Sequence, residues 1–114
     1  MMAPYDTFLL DLILSEKNKR LEDKRRRLLS ITENILISMK RKYRIKSAYI
    51  LGSLLKKRWN DSSDIDVAVS GASEYILNII KELEDATERE VDVIDLDHHP
   101  FPEIIKTRGK QIYG

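Results

Sequence analysis

Apolar positions in the first part of the chain recur with a helical period. Leu14, Leu21, Leu28 and Ile35 stand seven residues apart, with Leu10 and Ile31 at intermediate positions. No glycine or proline falls between Tyr5 and Leu51, so nothing interrupts the pattern. The spacing predicts one long amphipathic helix, or two helices broken near Glu22-Asp23. A sustained coiled coil is not expected, because Lys17 and Lys24 occupy the second core positions. After Arg44 the period changes. Lys46 to Leu51 is a short apolar run ending at Gly52, which predicts a strand and a tight turn. Ser53 to Arg58 reads as a short helix, and Trp59 to Ser63 as a turn. Asp64 to Ser70 alternates: Ile65, Val67 and Val69 take one face, Asp64, Asp66 and Ala68 the other. Ser73 is placed to cap a helix whose Ile76, Ile79, Ile80 and Leu83 share one side. Val91 to Leu96 predicts a third strand. Pro100 and Pro102 frame a loop into a last helix, Glu103 to Arg108, before a tail ending near Tyr113. Alternating helices and strands predict an α/β (α+β) fold: a sheet of three or more strands with flanking helices.

Composition narrows the class. With 114 residues the chain supports one core. Apolar residues at 42% and charged residues at 34% exclude a disordered or collagen-like chain. No apolar run approaches the ~18 residues of a membrane span, and the Phe8–Leu14 run, broken by Asp11, lacks the flanks of a signal peptide. Cysteine is absent, which removes disulfides and thiolate chemistry; a cytoplasmic location is expected. The net charge of +1 hides an asymmetry: residues 1–46 carry a balance of +6 and residues 47–114 one of −5. Seven of the eleven residues from Lys17 to Arg27 are basic. Glu16, Glu22 and Asp23 dilute them and no aromatic residue interleaves, so the stretch reads as a solvated helix face rather than a nucleic-acid contact. Phe8–Leu14 lies beyond this charged stretch, out of reach of a small core. It is expected to remain uncovered and to mark self-association, such as a homodimer through the N-terminal helix, or partner docking.

Three features carry chemistry. Gly52-Ser53 stands where a strand turns into a helix, and its backbone N–H groups and hydroxyl suit a phosphate. Asp64 and Asp66 project from one strand face about 7 Å apart, an arrangement that repels itself unless a hard cation such as Mg²⁺ binds. Asp92 shares its parity with Ile94 and Leu96, so it reads as a buried carboxylate in need of a compensating charge. Asp95 and Asp97 are expected to serve the following loop. His98-His99 reads as solvated surface rather than a metal site. Trp59 either stacks on a base or closes the core beneath its loop.

Gly52-Ser53, ten residues, Asp64-Ile65-Asp66 and a later Asp92 together resemble the minimal nucleotidyltransferases of the DNA polymerase β superfamily. The resemblance spans residues 28–114 and divides the chain into an N-terminal helical extension, 1–27, and a nucleotidyltransferase domain. It implies that Gly52 and Ser53 hold the β- and γ-phosphates of ATP. It also implies that Asp64 and Asp66 bind two Mg²⁺ ions, with Asp92 as third ligand and activator of the acceptor hydroxyl. Family members often carry Arg three residues after the Ser; here Lys56 offers a point charge without the bidentate fork. Larger members have an added acceptor-binding domain, so here a separate chain is expected to complete the site. Small members resemble the antitoxin half of modules with HEPN-domain proteins. The implied reaction is Mg²⁺-dependent transfer of AMP from ATP to a hydroxyl, such as a tyrosine, of the HEPN partner, which silences it. The alternative is a non-catalytic nucleotide- or partner-binding module that masks the partner.

Overall fold

The computed structural model describes residues 4–56 and 59–114, with side chains from Phe8 onward. Helix α1 spans Pro4–Lys42 as a single element of 39 residues, with no break at Glu22-Asp23. Glu22 instead bonds Arg25 and Arg26 one turn ahead, which ties the helix through its most charged stretch. At the far end Arg44 turns left-handed at φ 56°. The Ile45 N–H then reaches back to the Lys40 carbonyl at 3.0 Å and the Arg44 N–H to that of Arg41 at 3.4 Å, a paired closure that satisfies terminal carbonyls.

Strands β1 (Ser47–Leu51), β2 (Ile65–Ser70), β3 (Val91–Asp95) and β4 (Lys110–Tyr113) form one mixed sheet in the order β3-β2-β1-β4. β1 runs antiparallel to both β2 and β4, while β2 and β3 are parallel. A parallel pair needs a crossover, and helix α2 (Ile76–Thr87) supplies it. Helix α3 (Pro102–Arg108) precedes the edge strand β4. The expected α/β fold with at least three strands is therefore present, with a fourth strand where a tail was expected. Tyr113 anchors that strand: its hydroxyl donates to the Leu36 carbonyl at 2.9 Å, and burial pushes its ionisation up to about 12.

Three local expectations are corrected. The Gly52–Leu55 segment is a single 3-10 turn rather than an α-helix, and Lys57 and Arg58, to which that helix was extended, lie outside the described residues. Ser73 opens a 3-10 turn and caps nothing; α2 begins after Tyr75 without a side-chain cap. β2 begins at Ile65, so Asp64 stands just before the strand.

The core lies between the sheet and helices α1 and α2. Leu36, Met39, Ile50, Ile65, Val67, Val69, Ile79 and Leu83 are fully buried there. Trp59 is buried in the same cluster with the Arg89 guanidinium 4.7 Å from its ring centroid, so of its two expected roles it takes that of closing the core. A smaller cluster of Tyr49, Leu51, Ala68 and Leu96 fills the opposite face, with Ile94 and Ile105 against it. The Phe8–Leu14 run remains open to solvent, from 45% exposure at Leu12 to 64% at Phe8. Among the described residues no helix is long and apolar enough to cross a membrane.

Candidate active site

Sheet register decides which of the chemistry-bearing residues meet. Asp66 stands opposite Leu51 of β1 on one side and opposite Asp92 of β3 on the other. Leu51 is followed at once by Gly52, so Asp66 lies beneath the Gly52–Ser53 turn and beside Asp92. Gly52 adopts φ +69°, and a Cβ there would come within 2.6 Å of the Asp66 carboxylate. The position therefore suits glycine twice, by backbone conformation and by space. The Ser53 hydroxyl makes a long 3.5 Å contact to the Asp64 carbonyl, joining the turn to the start of β2. The Lys56 N–H closes the turn on the Ser53 carbonyl at 3.0 Å, and its side chain is exposed.

The three acids differ in environment. Asp64 is exposed at the mouth of β2, and Asp66 is half-buried within it. Burial, then the charges of Asp92 and Asp64, raise the proton affinity of Asp66 above that of an ordinary aspartate. Asp92 is exposed. This corrects the expectation of a buried carboxylate: Asp92 has the parity of Ile94 and Leu96, but it lies near the start of β3, before the covered stretch. Among the described residues, no three carboxylate or imidazole groups converge into a ready-made metal cage. The donor set is nonetheless entirely carboxylate oxygen. The charges that raise the proton affinity of Asp66 would be neutralised by a hard divalent cation, which keeps water or substrate phosphate among its ligands. The residues present thus fit Mg²⁺ in donor chemistry and charge.

The remaining candidates separate from this group. Asp95 accepts from the Asp97 N–H at 3.1 Å and holds the His98 Nδ1 at 2.8 Å; Asp97 accepts from the Gly71 N–H at 2.7 Å. Asp95 serves the loop after β3, as expected, while Asp97 ties that loop to the turn after β2. His98 Nδ1 also lies 3.3 Å from the Ser73 hydroxyl. Since Asp95 and Ser73 meet the same ring nitrogen, no relay through the imidazole forms. His99 accepts the Phe101 N–H at 2.9 Å. A cavity of about 310 Å³ lies at the other end of β2, lined by Tyr43, Gly71, Ser73 and Tyr75 among others, away from the three acids. The acids themselves stand on an open face.

The structure also brings α1 to this site. The Arg25 Nη1 donates to the Leu54 carbonyl, 29 residues away, at 2.8 Å. Lys24 pairs with Asp61 at 2.8 Å, in the turn that leads into Asp64. Neither contact has a signature in local sequence.

A family model described as "Polymerase beta, Nucleotidyltransferase" matches residues 33–114. The chain belongs to this family. Solved structures agree. A toxin–antitoxin complex with AMP-PNP is similar at 28% identity and a TM-score of 0.61, over 72% of this chain and 73% of that one. The toxin–antitoxin complex MntA–HepT is similar at 26% identity and a TM-score of 0.56, over 75% and 72%. A tri-AMPylated HEPN toxin in complex with MNT antitoxin, from Shewanella oneidensis, is similar at 26% identity and a TM-score of 0.55, over 75% and 71%. No match was found among curated proteins. This nucleotidyltransferase chain thus shares its fold with antitoxins seen in complex with HEPN toxins.

Proposed function

We propose that this nucleotidyltransferase transfers AMP from ATP to a hydroxyl, in the first instance a tyrosine, of a HEPN-domain partner, and acts as its antitoxin. The observation that carries the reading is the register that sets Asp66 between Asp92 and the glycine turn. The Gly52–Ser53 N–H groups and the Ser53 hydroxyl bind the β- and γ-phosphates, and Lys56 adds a point charge to the same triphosphate. Asp64 and Asp66, with Asp92, would hold Mg²⁺, which supplies electrostatic stabilisation at the reacting phosphate. Asp92, exposed beside Asp66, takes the proton of the acceptor hydroxyl. The hydroxyl oxygen bonds to the α-phosphorus, the bond to the bridging oxygen breaks, and pyrophosphate leaves. The exposure of Asp64 and Asp92 supports an acceptor brought by a separate chain. The complexes of similar fold support a HEPN protein as that chain.

Label transfer tests this. With α-³²P-labelled ATP and Mg²⁺, the wild-type chain is expected to label a HEPN protein encoded beside it, and the Asp64→Asn/Asp66→Asn variant is not. A stable complex that forms without any label would replace catalysis with masking.

A further inference from the structure

The family match begins at residue 33, yet the Gly52–Leu55 turn is held from outside it. Arg25, on α1, points its guanidinium across the chain rather than into solvent; its side chain is only 11% exposed. It makes three hydrogen bonds. Nη1 donates to the Leu54 carbonyl at 2.8 Å, while Nε and Nη2 donate to the two oxygens of Glu22 at 2.9 and 2.6 Å. The fork on Glu22 orients the planar group, so an Nη1 N–H is aimed at one carbonyl of the turn. Glu22 is held ionised for this, its carboxyl pulled down to about 2, chiefly by the Arg25 hydrogen bond.

The neighbouring residue acts on the other half of the site. Lys24 pairs with Asp61, and Arg89 holds both the carboxylate and the carbonyl of Asp61. Asp61 belongs to the turn that delivers Asp64. One step of α1, Lys24-Arg25, therefore touches both segments that the site needs in fixed relation: the phosphate-side turn and the approach to the first acid.

We infer that Arg25, oriented by Glu22, is a positioning residue for nucleotide binding: through the Leu54 carbonyl it fixes the Gly52–Leu55 turn that receives the triphosphate. The inference rests on the nucleotidyltransferase reading above. Arg25 touches no substrate. It sets the direction of the N–H groups that do, and a supporting residue of this kind is worth roughly 10- to 100-fold. The bond acts on the turn before and after reaction alike, so its loss raises KM rather than lowering kcat.

The test uses the full chain. AMP-PNP binding in Mg²⁺ is measured for wild type, Arg25→Ala, Arg25→Lys and Arg26→Ala, together with KM for ATP and kcat in label transfer and the thermal midpoint of each. Arg25→Ala is expected to weaken AMP-PNP binding and to raise KM by roughly 10-fold, with kcat within about twofold. Arg25→Lys, which keeps one donor for Leu54 but loses the fork, recovers part of that loss. Arg26→Ala, which removes an exposed cation that also pairs with Glu22, matches wild type. A lowered midpoint in Arg25→Ala with unchanged KM would make the residue structural and overturn the inference. If Arg25→Ala does not fold, the Arg25→Lys affinity decides alone: equality with wild type sinks the inference. If wild type takes up no AMP-PNP, the nucleotidyltransferase reading falls, and this inference with it. If wild type binds and Arg25→Ala binds equally, only this inference falls.

Discussion

The two faces of the sheet use the same strands and are filled differently. On the inner face Ile50, Ile65, Val67, Val69, Val91 and Val93 pack under α1 and α2, and most are fully buried. On the outer face Tyr49, Leu51, Ala68, Ile94 and Leu96 receive only Ile105 from the seven-residue α3. Asp66 and Asp92 occupy outer positions of β2 and β3, Asp66 half-buried and Asp92 exposed. Alternation along a strand lets one residue serve stability and the next serve chemistry. A carboxylate facing inward would be buried unpaired at a cost of several kcal/mol. Facing outward it keeps water, or a cation, within reach. The division predicts that changes on the outer face remove activity and spare the fold, and that changes on the inner face do the reverse.

The largest expected effect is on the outer face. Asp66→Asn preserves shape and removes one charge from a site already crowded with it. Label transfer is expected to fall by at least ~10³-fold, the scale on which preorganised charge contributes. The thermal midpoint of the metal-free protein is expected to hold or rise, because the replaced carboxylate was disfavoured by burial and repelled by Asp92 and Asp64. A melt lowered by several degrees would show that Asp66 supports the fold and would blur the two faces.

The converse change is Leu83→Ala. Leu83 is wholly buried between α2 and the sheet. Deleting its branched side chain is expected to lower unfolding stability by about 2–5 kcal/mol, measured in urea. Below its own transition the variant is expected to keep KM for ATP within about twofold of wild type. A large rise in KM with intact folding would mean that the inner face transmits strain to the acids.

Periodicity makes much of this division legible in the sequence. Ile65, Val67 and Val69 alternate as the inner face requires, and α2 buries Ile79 and Leu83 at helical spacing. The Gly52-Ser53 and Asp64-Ile65-Asp66 spacing located the candidate site because each residue type there answers a local demand of backbone or charge. What escaped was non-local. β4 is a four-residue edge strand whose Lys110 and Gln111 are exposed, so it shows no apolar alternation; β1 and the Tyr113 anchor define it. Asp92 carries the parity of a covered face, but it stands near the start of β3, where the chain is exposed. Arg25 looked like one more cation on a solvated face. Its distinction is a carbonyl 29 residues away, which spacing along a helix does not record. The same stretch still contains ordinary surface pairs, such as Arg20 with Glu16.

The smallest expected effect, a pH dependence, sharpens the comparison further. The folded state raises the pKa of Asp66, through burial first and its acidic neighbours second. Between the ordinary aspartate value of 3.8 and that raised value, the folded chain holds more protons on this group than the unfolded chain does. Stability from this residue is therefore present at low pH and is lost as pH rises through the folded pKa. Glu22, Asp61, Glu82 and Asp95 act oppositely: their pKa values are lowered, by hydrogen-bonded cations at Glu22, Asp61 and Glu82 and by Ser73 and His98 at Asp95. They contribute stability above the unfolded pKa that disappears on acidification. The wild-type curve sums both kinds, so the informative quantity is the difference between wild type and Asp66→Asn in metal-free buffer. That difference is expected to favour the variant increasingly as pH rises through the Asp66 transition, then to level off. Adding Mg²⁺ is expected to reverse the sign, since the cation favours the ionised carboxylate that the variant lacks. Parallel curves without Mg²⁺ would mean that Asp66 is not repelled by its neighbours, and the outer face would lose the electrostatic tension that marks it as a site.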